Sequence, residues 1–130
     1  MICADSDFII DFLKGKKEAV EAMEVYQKDL YTTEINVFEV FFGIFNNKNH
    51  KENEEESASI FFNSMDVLSF SKGTGKIAAK ISSDLTKSGS LIQLNDCFIG
   101  SIILKNGYDT ILTKNKKHFE RIKGIKVRSY

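Results

Sequence analysis

Short apolar runs alternate with helix-patterned segments along the whole chain, and this alternation leaves few folds open. Residues 2–4, 30–33, 67–70, 110–113 and 125–127 each read as a short strand. Between them, apolar residues recur at helical spacing, as Phe8, Ile9, Phe12 and Leu13 do before Gly15, or Ile77, Ala78, Ile81 and Leu85 before Ser88-Gly89. Strands this short, separated by helices long enough to serve as crossovers, predict an α/β domain with a central parallel sheet flanked by helices. Right-handed crossovers would place helices on both faces.

The helical segments differ in character. Residues 16–28 carry Ala19, Met23 and Tyr26 among charges and read as an amphipathic surface helix. The segment opened by Thr33-Glu34-Ile35-Asn36 continues through Val37, Phe38, Val40, Phe41, Phe42, Ile44 and Phe45, apolar on nearly every side, and predicts a buried helix. Residues 46–56 (NNKNHKENEEE) contain no apolar side chain and read as a solvated connection or a frayed helix start, with helix continuing over 57–65. Asn95-Asp96 precedes a helix face of Phe98, Ile99, Ile102 and Ile103 that stops at Gly107, and a short basic helix follows over 116–122.

At 130 residues and 42% hydrophobic content the chain suits one domain spanning 1–130. Eighteen basic and eighteen acidic residues cancel, so no overall field announces nucleic acid. The last 26 residues nevertheless hold eight basic side chains against two acidic ones, which predicts a local basic patch. Two cysteines, Cys3 and Cys97, are too few for a disulfide scaffold and lack zinc-site spacing. With no basic, apolar leader and no membrane-length apolar run, the expected location is the cytoplasm. Proline is absent, so turns fall to Gly, Asn, Asp and Ser.

Three carboxylates occupy awkward places. Glu39 lies among Val37, Phe38, Val40, Phe41 and Phe42, where a lone buried charge would cost several kcal/mol or protonate. A lysine partner would relieve it as well as a functional one. Asp5 and Asp96, taken singly, read as ordinary helix caps. Together they suggest more, because ligands of open parallel sheets bind beyond the carboxyl ends of the strands, where Asp5 falls. Clustered carboxylates repel one another, a hard divalent cation reverses that penalty, and oxygen-only ligands favour Mg²⁺ or Mn²⁺ over zinc.

Four segments, in order, resemble the PIN domain, and most closely its small VapC-type toxins. They are Ala4-Asp5-Ser6-Asp7-Phe8-Ile9-Ile10, then Thr33 and Asn36 leading to Glu39 and Gly43, then Asn95-Asp96 before Phe98-Ile99-Gly100-Ser101, and ILTKNKKHFERIKGIKV near the end. The resemblance implies a metal-dependent endoribonuclease with Asp5, Glu39 and Asp96 as metal-site carboxylates and catalytic groups. Asp7 would add a supporting oxygen. The fourth acidic position of that family falls in the Thr113, Asn115, Phe119 segment and is here the amide Asn115, which the resemblance sets among the catalytic groups, with Thr113 supporting, although it brings oxygen but no charge. The resemblance further implies products with 5′-phosphate and 3′-hydroxyl ends, and an antitoxin whose tail covers the acidic groove. Lys114, Lys116, Lys117 and Arg121 would hold the RNA backbone, with strong salt dependence; a solvated basic helix explains them equally well. The surplus of apolar side chains at 38–45 and at Phe61-Phe62 points to a homodimer.

Other readings compete less well. Ser71 to Lys76 invites a phosphate loop, but that pattern would put its first glycine at Phe70 and its hydroxyl residue at Ile77. His50 and His118 show no zinc spacing and read as surface residues, with His118 near enough to the basic segment to touch a phosphate. Asp5-Ser6-Asp7 also resembles the start of haloacid-dehalogenase-like phosphatases, yet Phe8-Ile9 follows where that family places a threonine. A non-enzymatic alternative keeps the fold as a catalytically impaired RNA- or partner-binding module, motivated by Asn115.

Overall fold

The computed structural model describes residues 1–130 and contains a five-stranded sheet with every neighbouring pair parallel, in the order β3-β2-β1-β4-β5. The strands are β1 (Ile2–Ala4), β2 (Leu30–Thr33), β3 (Asp66–Leu68), β4 (Thr110–Leu112) and β5 (Lys126–Arg128). Seven helices connect them: α1 (Ser6–Leu13) and α2 (Lys17–Tyr26) after β1; α3 (Glu34–Phe45) and α4 (Glu52–Asn63) after β2; α5 (Thr74–Lys87) and α6 (Leu94–Lys105) after β3; and α7 (Lys116–Phe119) after β4. The parallel α/β architecture expected from the sequence is the one observed. No helix is long and apolar enough to cross a membrane.

The side-chain period of two sorts the central strands onto two cores. Ile2, Ala4, Leu30 and Leu112 face one way, against Phe8, Ile9, Val40, Ala58, Phe61 and Phe62. Cys3, Tyr31 and Ile111 face the other, against Ile99, Ile103, Phe119, Ile122 and Ile125. Both faces of β1, β2 and β4 are therefore dry, so these strands carry no charged residue, and the buried hydroxyls of Thr32 and Thr33 in β2 are hydrogen-bonded. Gly15 ends α1 with φ +73, a left-handed conformation that glycine adopts without steric cost.

Several local expectations shift. The third strand begins one residue earlier than the apolar run and is an edge strand, with Asp66 exposed. The polar run divides, residues 46–51 forming the connection and Glu52 onward the first turns of α4. The basic helix has four residues rather than seven. The largest correction concerns α3, which is not buried: only Asn36 and Val40 are fully enclosed, while Phe38, Phe42 and Phe45 are 56–58% exposed. Hydrophobicity all round a helix says that burial would be favourable, not that this chain supplies the covering element. Phe61 and Phe62, by contrast, belong to the core.

The Tyr31 hydroxyl is enclosed in the second core without a hydrogen-bond partner. Burial pushes its ionisation far upward, so it stays a neutral, unsatisfied donor. Because an unpaired buried hydroxyl costs about 1–3 kcal/mol, Tyr31→Phe is expected to stabilise the fold by about 1 kcal/mol in chemical denaturation. A loss of stability would show that the hydroxyl is satisfied in solution.

Candidate active site

β1 is flanked by β2 on one side and β4 on the other, so chain connections diverge at its carboxyl end and open a crevice there. Asp5 is the first residue beyond β1 and Thr113 the first beyond β4, and the parallel register pairing Ala4 with Leu112 sets the two side by side. The Asp5 backbone amide donates to the Leu112 carbonyl at 3.1 Å, and the Thr113 hydroxyl donates to Asp5 Oδ2 at 2.7 Å.

Asp5 stands at the N-cap position of α1, but its side chain makes no capping hydrogen bond. It turns into the crevice instead, where Asn36 Nδ2 donates to Oδ1 at 3.0 Å. Burial, followed by the charge of Asp7, pushes the Asp5 carboxyl up to about 7, with the Thr113 hydrogen bond opposing. Asp7, two residues on, accepts from the Phe8 backbone amide at 2.7 Å and the Lys114 backbone amide at 2.8 Å. Burial raises its pKa as well.

Thr33 and Asn36 form a reciprocal capping box at the start of α3, the side chain of each meeting the backbone amide of the other. The box leaves both Asn36 Nδ2 protons free, and they reach Asp5 Oδ1 and, at 2.9 Å, Ser6 Oγ. Ser6 passes the contact on, donating to Glu39 Oε1 at 2.8 Å. Glu39, one turn along α3, is thus brought to the same crevice and is half-buried, with Asn95 Nδ2 3.5 Å from Oε2. Its pKa is raised first by burial, with smaller contributions from Asp96 and Asp7 and opposition from Ser6 and Asn95.

Asp96 lies in the first turn of α6 and is 5% exposed. Its Oδ2 lies 2.7 Å from His118 Nδ1 and 3.2 Å from Asn115 Nδ2. Asn115 is the N-cap of α7 by position, yet like Asp5 it does not cap with its side chain. The basic residues are arranged around this centre rather than in it. Lys114 Nζ turns to Asp11 at 3.2 Å and lies 4.7 Å from the Tyr130 ring centroid; Lys116 pairs with Glu120 at 3.6 Å; Lys117 is exposed.

The structure therefore draws Asp5, Asp7, Glu39, Asp96, Thr113 and Asn115 into one crevice, and no lysine or arginine pairs with any of the four acids. No three of the carboxylate or imidazole groups sit within one coordination sphere as they stand, and hydroxyl and amide groups donate to the oxygens of Asp5 and Glu39. Ser6, Asn36, Asn95 and His118 all stand in the segments that carry the family resemblance, but nothing in the sequence marked them as partners of the carboxylates. His118 is a correction, since it is directed at Asp96 rather than being a free surface side chain. The Thr33-Asn36 spacing was the one available signal for Asn36, but a capping box does not say that the amide has two more protons to give.

A sequence model of the PIN domain matches residues 2–125. Ribonuclease VapC3 of Methanocaldococcus jannaschii is 32% identical over 98 residues, covering 75% of this chain and 93% of that protein. The fold superposes on VapBC2 from Rickettsia felis, solved bound to a promoter DNA fragment, with TM-score 0.88, 22% identity and coverage of 100% of this chain and 99% of the other. DNA-bound VapBC from Salmonella typhimurium gives 0.86 at 20% identity, covering 99% and 98% of the two chains. The chain belongs to the PIN domain family.

Proposed function

We propose that this chain is a divalent-metal-dependent endoribonuclease, the toxin of a toxin–antitoxin pair, with residues 1–130 as its single domain and the cytoplasm as its place of action. The observation that carries the reading is four carboxylates gathered from the end of β1, the first turns of α1 and α6 and the middle of α3, with no lysine or arginine paired to any of them. Such a set is destabilising unless something positive joins it. Support comes from the 32% identical relative, named a ribonuclease, and from the fold shared with proteins solved in VapBC complexes. An antitoxin partner is part of the same reading. So is a second copy of this chain, which the exposed Phe38, Phe42 and Phe45 face would suit.

The donor set fits Mg²⁺ or Mn²⁺. Its members are oxygens, and Mg²⁺ takes only one or two carboxylates directly while keeping several waters, so hydrogen-bonded carboxylates spaced across a crevice are compatible with it. Asp5, Glu39 and Asp96 would hold the ion, with Asp7, Thr113 and Asn115 supporting. The bound ion would supply activation of water and neutralisation of charge developing on the scissile phosphate. The chain's own residues set the geometry. Asn36 and Thr113 clamp the two oxygens of Asp5, and Ser6 and Asn95 hold those of Glu39. Lys117, with Lys116 and Lys114 once RNA competes for their present partners, would hold the backbone of the substrate, a contribution that weakens as salt rises.

Protein freed of any partner is expected to cut structured RNA with Mg²⁺ or Mn²⁺ and to stop when EDTA removes the ion. The double variant Asp5→Asn with Asp96→Asn should be inactive; activity surviving in it would rule out this site. If wild-type protein cuts no RNA yet binds a protein partner tightly, the impaired-module reading, favoured by the amide at Asn115, takes its place.

A further inference from the structure

Asn115 and His118 do more than fill space beside Asp96. Three atoms from the three residues form a triangle: Asp96 Oδ2 to His118 Nδ1 is 2.7 Å, Asp96 Oδ2 to the Asn115 amide is 3.2 Å, and the Asn115 amide to His118 Nδ1 is 3.2 Å. With a proton on Nδ1, both nitrogens donate to Asp96, and the third edge is the spacing of two donors that share one acceptor. Without it, the amide donates to the ring, but the ring lone pair faces the carboxylate. Adjacent donors on one octahedral ion, each roughly 2.1 Å from it, stand about 3 Å apart, and all three then turn lone pairs inward. The Asn115 amide can do so by presenting its oxygen, a rotation that exchanges two atoms of nearly equal size.

We infer that His118 is a nitrogen ligand of the cation held at Asp96, with the Asn115 amide oxygen beside it, so that the site has a mixed nitrogen and oxygen character and prefers Mn²⁺ to Mg²⁺. The inference rests on the metal-dependent reading above and deepens it. Asn115 removes a charge from this corner, and His118 returns a strong neutral donor three residues on. An imidazole nitrogen adds more to the binding of a first-row transition ion such as Mn²⁺ than to that of Mg²⁺, though both ions also accept oxygen. The short α7 makes this possible: Asn115 at its start and His118 one turn later share a face, while Phe119 is buried in the core and anchors the turn.

The test uses the full chain, stripped of metal and titrated with Mn²⁺ alone. Pulsed electron paramagnetic resonance should show nitrogen modulation from a directly bound imidazole, and labelling histidine with ¹⁵N should change it. Both signatures should vanish in His118→Asn, which keeps a donor near the Nδ1 position but has no ring lone pair, and should persist in His50→Asn. By calorimetry, the preference for Mn²⁺ over Mg²⁺ should fall at least about tenfold in His118→Asn, the scale on which metal-site partners act. Mn²⁺ bound without imidazole nitrogen would overturn the inference and leave the metal site standing. Failure of wild-type protein to bind Mn²⁺ at all, together with no RNA cleavage, would overturn both.

Discussion

Asp5→Asn is expected to abolish RNA cleavage, by about 100-fold or more, and in the same protein to raise the melting temperature of the metal-free form above pH 7. The two effects have one cause. Asp5 is 5% exposed and close to Asp7, and its carboxyl is pushed up to about 7 in the folded chain. In the unfolded chain an aspartate titrates near about 3.9. Between those values the folded chain holds a proton that the unfolded chain has released, so stability is full below about pH 4, falls as the pH rises toward about 7, and stays reduced above it. Three pKa units correspond to about 4 kcal/mol, an upper bound for one buried group. Asparagine removes the charge and keeps the network: its oxygen can accept from Asn36, and its amide can donate to the Thr113 hydroxyl, which then donates to Asp7.

The measurement is a set of melting curves from pH 4 to 8.5, with EDTA and with Mg²⁺. Wild type should lose stability with rising pH in EDTA and recover it with Mg²⁺, by about 2.7 kcal/mol at a hundredfold excess over the dissociation constant. Asp5→Asn should show a shallower loss and less recovery. A variant melting lower than wild type in EDTA at pH 8 would mean that the Asp5 carboxylate stabilises the fold and that the clustered charge does not weaken it.

Removing Asn36 should cause the largest stability loss of any single change at the site. Its side chain is fully buried, accepts from Thr33, and donates to Asp5 and Ser6. Alanine there would break the capping box and strand buried partners. Lost caps cost about 0.5–2 kcal/mol and unsatisfied buried groups about 1–3 kcal/mol, so a loss of about 3 kcal/mol in guanidinium denaturation is expected. Cleavage should also fall by about 10–100-fold well below the melting temperature, as when other partners that orient metal-site ligands are removed. A change under about 1 kcal/mol would show that water replaces the amide freely.

The alternation of short apolar runs with amphipathic segments was enough to recover the parallel α/β fold, because strands dry on both faces exclude charged side chains and parallel pairing demands long crossovers. The family resemblance was likewise legible, carried by Asp5, Glu39, Asp96 and the segment from Thr113 to Phe119 in fixed order. Burial was less legible. α3 looks apolar on nearly every side in sequence, yet its Phe38, Phe42 and Phe45 face has no covering element in this chain. Composition records how much a residue would gain from burial but not whether a neighbour arrives.

The sequence by itself determined which side chains bring charge to the crevice and on which elements they sit. Only the tertiary structure decided how those charges are held. Asn36 reaches Asp5 across 31 positions, Thr113 reaches it across 108, and His118 meets Asp96 across 22. These contacts follow from strand order and register, which place β1 between β2 and β4 and so bring their carboxyl ends together. Hydrogen bonds act over about 3 Å and chain connectivity sets no such distance, so partners of this kind emerge only when the sheet closes.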